Sequence, residues 1–188
     1  MRKVILQEWL TIDGFVADRN GNLDFVTSGE LNRESDKDLV RFMDTIDTIL
    51  LGAVTYKLFV DFWPTATIET EIIADKLNST KKIVFSGSLS QAPWGKWPEA
   101  AIVKTDASLE IQKLKSQEGK NMVLWGSISL AQSLIKNNLI DEYHLRMCPV
   151  AVGKGKQLFP VDMDSLNLKL VEFKKYSSGL LLLQYEPG

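Results

Sequence analysis

The sequence has very little cysteine and histidine. Among its 188 residues, Cys148 is the only cysteine and His144 is the only histidine. A disulfide framework is excluded, because a single thiol has no partner within the chain. A Cys/His zinc site and a Ser-His or Cys-His catalytic unit are also excluded, unless these two residues supply it alone. We therefore expect no metal, and any chemistry must come from carboxylates, hydroxyls, backbone amides or a bound cofactor.

The sequence also lacks an excess of one charge and lacks long apolar runs. It has 22 Lys and Arg against 24 Asp and Glu, so its formal net charge is -2, and no basic stripe is present to neutralise a phosphate backbone. The N-terminal stretch "MRKVILQEWL" is broken at Gln7 and Glu8 and is followed by no small-residue cleavage site. No other run approaches the length of a membrane span. These absences predict a cytoplasmic protein that binds neither nucleic acid nor a membrane.

Strand-like and helix-like segments alternate along most of the chain, which is typical of the α/β class. Helices are predicted between residues 31 and 46 and over 69–77. The segment "LKLVEFKKYSSGLLLLQYE" differs, because two strand-like runs are joined by Ser177-Ser178-Gly179 and predict an antiparallel hairpin at the sheet edge. A hydrophobic content of 45% is enough for a substantial core, so we expect residues 1–188 to form a single domain.

A buried strand-like run followed by small residues occurs three times in the chain. These turns begin at Gly52, Ser86 and Gly126. Open α/β sheets bind ligands beyond the carboxyl ends of their strands, and the amides of a helix N-terminus favour an anion. The pattern therefore predicts a shared cleft for nucleotide phosphates. Small residues also permit tight turns without any ligand, and none of the three turns is a Walker or GxGxxG sequence, so both interpretations stay open.

Five motifs occur in an order that resembles a known family. They are "TIDGFVAD" at 11–18, "DTILLGAVTY" at 47–56, "KKIVFSGSL" at 81–89, "VLWGSISLAQSL" at 123–134 and "LIDEYHLRMCPVAVGKGKQLF" at 139–159. Together they resemble the dihydrofolate reductase-like family over nearly the whole chain, and most closely its branch with the reductase domain of riboflavin biosynthesis. The resemblance implies a mixed, mostly parallel central sheet flanked by helices, NADPH as cofactor and a homodimer. It also implies a stand-alone member without the deaminase domain.

The resemblance assigns cofactor-binding roles to all three turns. Gly52 and Thr55 match the residues that bind the cofactor diphosphate in that family, and Tyr56 lies beside them. The middle turn matches the residues that approach the phosphate on the adenosine ribose, and the third turn presents its amides to the diphosphate. The residues of these two turns are Ser86, Gly87 and Ser88, and Gly126, Ser127, Ile128 and Ser129.

The chain departs from the family pattern at three positions. Ala53 stands where the family usually has an arginine that pairs with phosphate, so the preference for NADPH over NADH is open. Leu124 and Trp125 stand where riboflavin reductases carry an acid before the third turn. Ser127 replaces a glycine, and its Cβ restricts how closely a diphosphate can approach.

Hydride transfer needs little from the protein except the positioning of the nicotinamide and one acid to supply a proton. In dihydrofolate reductase a carboxylate on the helix before the Gly52-type turn engages the pteridine. Asp36 and Asp38 are the candidates here, and Asp36 is preferred because its spacing from Leu39 and Met43 places it on the inward side. Asp13 is the second catalytic candidate. The alternatives are a solvated helix N-terminus for Asp36 and a turn-forming Asp-Gly for Asp13.

These observations predict a reductase that transfers hydride from NADPH to a small heterocyclic substrate. The leading substrate by resemblance is the 5-amino-6-(5-phosphoribosylamino)uracil of riboflavin biosynthesis, and a pterin is the other. The alternative is a non-catalytic nucleotide-binding or interaction module on the same fold. Ala53 and the missing acid before Gly126 favour that alternative.

Overall fold

The computed structural model describes residues 1–26 and 29–188. The strands are β1 Val4–Thr11, β2 Phe15–Asp18, β3 Ile46–Gly52, β4 Lys81–Phe85, β5 Ala101–Val103, β6 Asn121–Trp125, β7 Glu142–Cys148, β8 Gly155–Gln157, β9 Leu168–Lys175 and β10 Leu181–Pro187. The helices are α1 Gly29–Asn32, α2 Ser35–Met43, α3 Ala53–Val60, α4 Ala74–Ser79, α5 Ala107–Lys115 and α6 Ile128–Lys136. A 3₁₀ turn spans Trp63–Thr65.

Eight strands form one sheet in the order β5-β4-β3-β6-β1-β7-β10-β9. The first six are parallel, whereas β10 runs antiparallel to both β7 and β9. Gly179 has a φ of 88° in the tight connection between β9 and β10, a conformation that glycine adopts at little cost. β2 and β8 make a separate antiparallel pair. The predicted mixed, mostly parallel sheet with a C-terminal antiparallel hairpin is therefore confirmed.

Two apolar cores lie on the two faces of the sheet. On one face, Ile111 of α5 and Leu134 of α6 pack with Leu6 and Leu124. On the other face, residues of α2, α3 and α4 pack with Ile49 and Val123. The central strands are buried on both faces, which explains why their sequences are continuous apolar runs. Polar residues that interrupt such a strand are therefore exceptional, and two of them occur in β1.

The helix predicted over 69–77 is wrong in its first half. The structure has a turn there, and α4 begins only at Ala74. The Thr70 hydroxyl accepts the Thr67 N–H and also donates to the Thr67 carbonyl, and such local bonds offer the backbone an alternative to a helix. In the described chain, no helix combines the length and the apolar character that a membrane crossing requires.

Register places the three small-residue turns side by side. Gly52 pairs with Phe85 of β4, and Leu50 pairs with Leu124 of β6, so the three strands end at the same level. Their order in the sheet is β4-β3-β6, without an intervening strand. All three turns therefore lie together at one edge of the parallel sheet.

Candidate functional site

The N-termini of α3 and α6 are joined by side-chain hydrogen bonds. The Gly52 N–H donates to Ser127 Oγ at 2.6 Å, and the Ser127 N–H donates to Thr55 Oγ1 at 2.8 Å. Ser127 Oγ in turn donates to the carbonyl of Trp125 at 3.0 Å. Two turns that are distant in sequence thus form one unit, which we call the helix junction (Gly52, Thr55, Gly126 and Ser127).

The backbone of the helix junction leaves no room for larger residues. Gly126 and Ser127 have φ values of 53° and 58°, both in the left-handed region. A Cβ on Gly126 would lie 3.1 Å from Thr55 Cγ2, and one on Gly52 would lie 3.3 Å from Ser127 Cβ. A non-glycine residue in this region costs roughly 1–2 kcal/mol, so Ser127 is held there by its hydrogen bonds. Backbone strain of this kind is concentrated at functional sites.

The helix junction has the features of an anion site. No side chain caps α3 at Gly52 or α6 at Ser127. The first-turn amides of both helices therefore have no acceptor within their own helix, and the positive ends of two helix dipoles meet. Since the Gly52 and Ser127 amides donate within the protein, the amides left for a ligand are those of Ala53, Val54, Ile128 and Ser129. Donors arranged in this way favour an anion.

The middle turn is ordered by its own hydroxyl. Ser86 Oγ accepts from the N–H groups of Ser88 and Leu89, and the Ser86 N–H donates to the Val103 carbonyl. Ser86 is buried, whereas Gly87 and Ser88 are exposed. A loop follows this turn instead of a helix, so it provides no helix dipole. Its predicted contact with the adenosine phosphate stays a prediction that rests on its position beside the helix junction.

Tyr56 is adjacent to the helix junction in sequence but its phenol is engaged elsewhere. It is buried, and its hydroxyl donates to the Pro93 carbonyl at 2.7 Å. Burial raises the pKa of Tyr56 above its usual value. The described geometry therefore gives Tyr56 a packing role, and its predicted part in cofactor binding stays a prediction.

The two acids of α2 have opposite environments. Burial alone would raise the pKa of Asp38, but hydrogen bonds from Lys174, Tyr176 and Arg41 lower it to about 2. Burial raises the pKa of Asp36 to about 6, although Arg146 opposes the shift. Asp38 is thus an ionised partner in ion pairs, whereas Asp36, with a pKa of about 6, changes its charge near neutral pH. The preference for Asp36 over Asp38 as a catalytic residue stays a prediction.

Asp13 lies on the exposed surface and fixes a loop. Its carboxylate accepts the Gly153 N–H at 2.7 Å and the Val152 N–H at 3.2 Å. The Thr11 hydroxyl makes the largest contribution to lowering the pKa of Asp13. An open depression of about 530 Å³ lies against the same loop and is lined by Asp18, Arg19, Val152, Gly153 and Lys154. The catalytic role of Asp13 stays a prediction, and a low pKa makes it a poor proton donor.

Glu8 was missed by the sequence reasoning. It is 8% exposed on β1, and burial raises its pKa to about 8, so it is largely protonated at neutral pH. The Trp9 N–H donates to Glu8 Oε1 at 3.2 Å. The Gly126 backbone also opposes the rise in the pKa of Glu8, which indicates that this carboxyl lies near the helix junction. The available signal was the polar pair that interrupts the apolar β1 run, Gln7 and Glu8. Gln7 is also engaged at this edge, since its Oε1 accepts from Trp125 Nε1 at 2.8 Å.

Arg146 is the second missed residue. It lies on β7, is 1% exposed, and its Cζ is 5.0 Å from the centre of the Trp9 ring. Burial lowers the pKa of its guanidinium, while Asp36 is among the groups that oppose that shift. The available signal was an arginine in the apolar alternation "YHLRMC". His144 on the same strand pairs its Nε2 with Glu142 at 3.0 Å, which is consistent with a pairing role.

Comparison with known families identifies one that covers nearly the whole chain. The sequence model described as the RibD C-terminal domain matches residues 2–182. The uncharacterized protein YyaP of Bacillus subtilis (strain 168) is 33% identical over 186 residues, which cover 98% of this chain and 94% of YyaP.

Solved structures with the same fold come from riboflavin biosynthesis. A Shewanella sp. PV-4 protein provisionally assigned to that process has a TM-score of 0.76 and 21% identity, with 99% of both chains covered. The Thermotoga maritima diaminohydroxyphosphoribosylaminopyrimidine deaminase/5-amino-6-(5-phosphoribosylamino)uracil reductase has a TM-score of 0.67 and 17% identity. All of this chain and 57% of that protein are covered. At these identities the structures establish the fold alone.

Proposed function

Because the chain belongs to the family of the RibD C-terminal domain, we propose that it is an NADPH-dependent reductase of a small heterocyclic substrate. The leading candidate substrate is 5-amino-6-(5-phosphoribosylamino)uracil, or a close relative of it. The observation that carries this proposal is the helix junction, where two uncapped helix N-termini meet at the carboxyl edge of a parallel sheet. Such an edge is where open α/β sheets bind their cofactors.

The residues of this chain would hold the diphosphate of NADPH through the free first-turn amides of α3 and α6. Thr55 and Ser127 contribute indirectly, since their mutual hydrogen bond fixes the angle between the two helices. Glu8, protonated at neutral pH, adds no negative charge beneath the diphosphate. When bound, the cofactor supplies the hydride, and the protein has to hold the acceptor against it and provide one proton.

We assign Asp36 to substrate binding and proton donation. It is half-buried on α2, and a pKa of about 6 lets it exist in both charge states near neutral pH. As a carboxylate it accepts a hydrogen bond from a ring N–H, and as an acid it donates a proton to a reduced nitrogen or oxygen. We expect activity to change with an apparent pKa near 6 and to be lost in Asp36→Asn.

Calorimetric titration with NADPH and with NADH tests the cofactor assignment. We expect micromolar binding of NADPH that weakens in Thr55→Ala and in Ser86→Asp, since the new carboxylate would repel the adenosine phosphate. The NADPH complex is then mixed with 5-amino-6-(5-phosphoribosylamino)uracil or dihydrofolate, and loss of nicotinamide absorbance is followed. Absence of binding by both nucleotides would contradict the proposal.

A non-catalytic nucleotide-binding module is the second candidate function. Trp125 favours this second candidate, because its indole occupies the place of the acid expected before the third turn. The indole N–H donates to Gln7 Oε1. NADPH binding without oxidation by any pyrimidine or pterin would support this candidate. Oxidation with a measurable kcat would exclude it.

We also propose a homodimer formed through the edge strand β9. Val171 and Phe173 are 57% and 68% exposed, and Leu170 on the same strand is 46% exposed. Exposed apolar side chains on an edge strand are unusual in a monomer. Sedimentation should give a dimer for the wild type and a monomer for Phe173→Glu. Lys104→Glu is the control, because Lys104 is exposed and follows β5 at the opposite edge of the sheet. A monomeric wild type would contradict this assembly.

A further inference from the structure

Glu8 faces the apolar core that contains α6. In the sheet, β1 lies between β6 and β7, the two strands that α6 connects. Leu6 and Leu10 of β1 pack in the same core as Leu130 of α6. Because side chains alternate along a strand, Glu8, which stands between these two leucines, points to that same face.

The Glu8 carboxyl lies at the level of the helix junction. Gln7 pairs with Trp125 in the sheet, so the next residues along the two strands, Glu8 and Gly126, are close to each other. The Gly126 backbone opposes the rise in the pKa of Glu8 that burial causes, which agrees with this proximity. Since Gly126 belongs to the helix junction, the carboxyl lies near the N-terminus of α6.

Glu8 has no partner that would hold it as a carboxylate. Its Oε1 accepts the Trp9 N–H at 3.2 Å, and its Oε2 is buried without a hydrogen-bond partner within residues 1–26 and 29–188. No cation of the described chain lies within the 4.0 Å of an ion pair. A buried carboxylate without a cation is costly, so the free protein favours the neutral acid.

The charged side chains of β7 lie on the other face of the sheet. The ring of His144 is 5.3 Å from that of Phe42 on α2, and Arg146 lies over the Trp9 ring. Tyr143 does share the core that Glu8 faces, but burial raises its pKa to about 12. Tyr143 therefore stays neutral when Glu8 titrates.

The charges on the other neighbouring elements are exposed, distant or constant. β6 contains no charged residue, and the first turns of α3 and α6 contain no acid. Lys57 and Lys136 lie in the last turns of these helices, and Lys156 on β8 is exposed. Hydrogen bonds from Asn22 lower the pKa of Asp18 on β2, so this acid stays ionised above neutral pH. An ionised Glu8 would thus add a negative charge beneath two helix N-termini that have no acid of their own.

A bound anion and an ionised Glu8 would compete for the same positive helix end. A diphosphate at the first-turn amides of α6 carries two negative charges, and a nearby like charge disfavours the ionised form of a carboxyl. Binding should therefore make Glu8 hold its proton more tightly. By reciprocity, loss of that proton should weaken binding by the same free energy.

We propose that Glu8 couples diphosphate binding at the helix junction to the uptake of a proton, so that the site binds its anion with this carboxyl in the neutral form. The inference rests on the proposed function for the identity of the anion. Glu8 acts through its charge and not through contact with the ligand.

Calorimetric titration with NADPH at pH 8.5 in Tris and in EPPS counts the protons, because the two buffers differ in their enthalpy of ionisation. We expect the wild type to take up roughly half a proton or more per bound NADPH, and Glu8→Gln to take up none. Between pH 7 and pH 9 the wild-type affinity should fall about five- to tenfold, whereas that of Glu8→Gln should stay nearly constant. The ribose phosphate of NADPH titrates near pH 6 in both proteins, so the difference between them belongs to Glu8.

The exposed Glu118→Gln is the control and should retain the proton uptake of the wild type. Circular dichroism at each pH establishes that the proteins are folded. Equal proton uptake by the wild type and Glu8→Gln, or parallel pH profiles of their affinities, would overturn the inference. If Glu8→Gln does not fold, Glu8→Leu replaces it. If neither variant folds, the wild type is titrated with NADH, which has no group that titrates above pH 7, and absence of proton uptake at pH 8.5 would overturn the inference.

Failure of the proposed function would be a separate result. If neither nucleotide binds at any pH, that function is contradicted, and inorganic pyrophosphate becomes the probe of the helix junction. Greater proton uptake with pyrophosphate by the wild type than by Glu8→Gln would support the coupling. Equal uptake, or no binding of pyrophosphate, would overturn it.

Discussion

The helix junction and the Asp36–Arg146 region are built in contrasting ways. In the helix junction, Gly52, Ser127 and Thr55 satisfy one another through short hydrogen bonds, and each belongs to a compact motif in the sequence. In the Asp36–Arg146 region, two buried or half-buried charges come from distant elements and leave donors unpaired. The side chains of the first region satisfy one another and leave only first-turn amides free, whereas the second region contains buried side-chain donors without a partner in the described chain.

The difference suggests that the two regions have different roles in ligand binding. A self-satisfied junction is preorganised, so a cofactor that binds its helix termini costs little rearrangement. A region with unpaired groups loses stability in the free protein but gains discrimination between ligands. We therefore expect substitutions in the helix junction to affect folding and cofactor binding together. Substitutions in the Asp36–Arg146 region should change ligand binding without a parallel loss of stability.

Glu8→Gln should have the largest effect on stability, and it should be favourable at high pH. The folded-state pKa of Glu8 is about 8 and its usual value is 4.5, so its contribution to stability is complete below about 4.5 and is lost as pH rises through 8. Between pH 5 and pH 9 the wild type should lose roughly 4 kcal/mol of unfolding free energy relative to Glu8→Gln. Urea unfolding at several pH values measures this difference, and the exposed Glu118→Gln is the control. Parallel pH profiles for wild type and Glu8→Gln would contradict the prediction.

Gly126→Ala should disrupt the helix junction itself. Its Cβ would meet Thr55 at 3.1 Å in a left-handed backbone, so we expect a loss of about 2 kcal/mol and much weaker NADPH binding. Gly153→Ala is the matched control, because Gly153 shares the left-handed backbone but nothing lies within 4 Å of its new Cβ. Thermal melting and NADPH titration of both variants measure the contrast. Equal behaviour of the two variants would show that the geometry of the turn is not required.

Asp38→Asn and Asp36→Asn should differ in sign. Asp38 has a pKa of about 2, so its stabilisation is present above its usual pKa of 3.8 and is lost as pH falls towards 2. We expect Asp38→Asn to cost about 1.5 kcal/mol at pH 7 and little at pH 2. Because the folded-state pKa of Asp36 is raised, Asp36→Asn should be neutral or stabilising at pH 8. Chemical unfolding at both pH values checks this pair, and a stability loss in Asp36→Asn at pH 8 would contradict the account.

Thr55→Val should have the smallest effect of the four. It removes the acceptor of the Ser127 N–H but keeps a β-branched side chain of similar shape, so we expect a loss of about 1 kcal/mol. The free energy of NADPH binding should weaken by a similar amount, because the hydrogen bond that fixes the angle between α3 and α6 is lost. Val161→Thr, at an 88% exposed position outside the helix junction, serves as the control. Unchanged affinity in Thr55→Val would remove the hydroxyl from the cofactor site.

The sequence predicted the turns of the helix junction better than the surroundings of Asp36 and Arg146, for a physical reason. Gly52, Gly126 and Ser127 are required by local backbone geometry, and local requirements leave motifs in the sequence. Glu8 and Arg146 look like interruptions of apolar strands, and only the packing of β1 against β7 and α2 shows that both are buried. Asp36 was predicted from resemblance and helical spacing, yet its distinction from Asp38 depends on Lys174 and Tyr176 near the β9–β10 turn. The late start of the helix predicted over 69–77 likewise involves local hydrogen bonds between Thr67 and Thr70.

Backbone amide NMR of the labelled protein with added NADPH tests the central claim most directly. If the helix junction holds the diphosphate, the largest shifts should occur at the free amides of Ala53, Val54, Ile128 and Ser129. The amide of Gly153, beside the open depression near Lys154, should shift little. Shifts confined to that depression, or the absence of any saturable shift, would contradict the assignment of the cofactor to the helix junction.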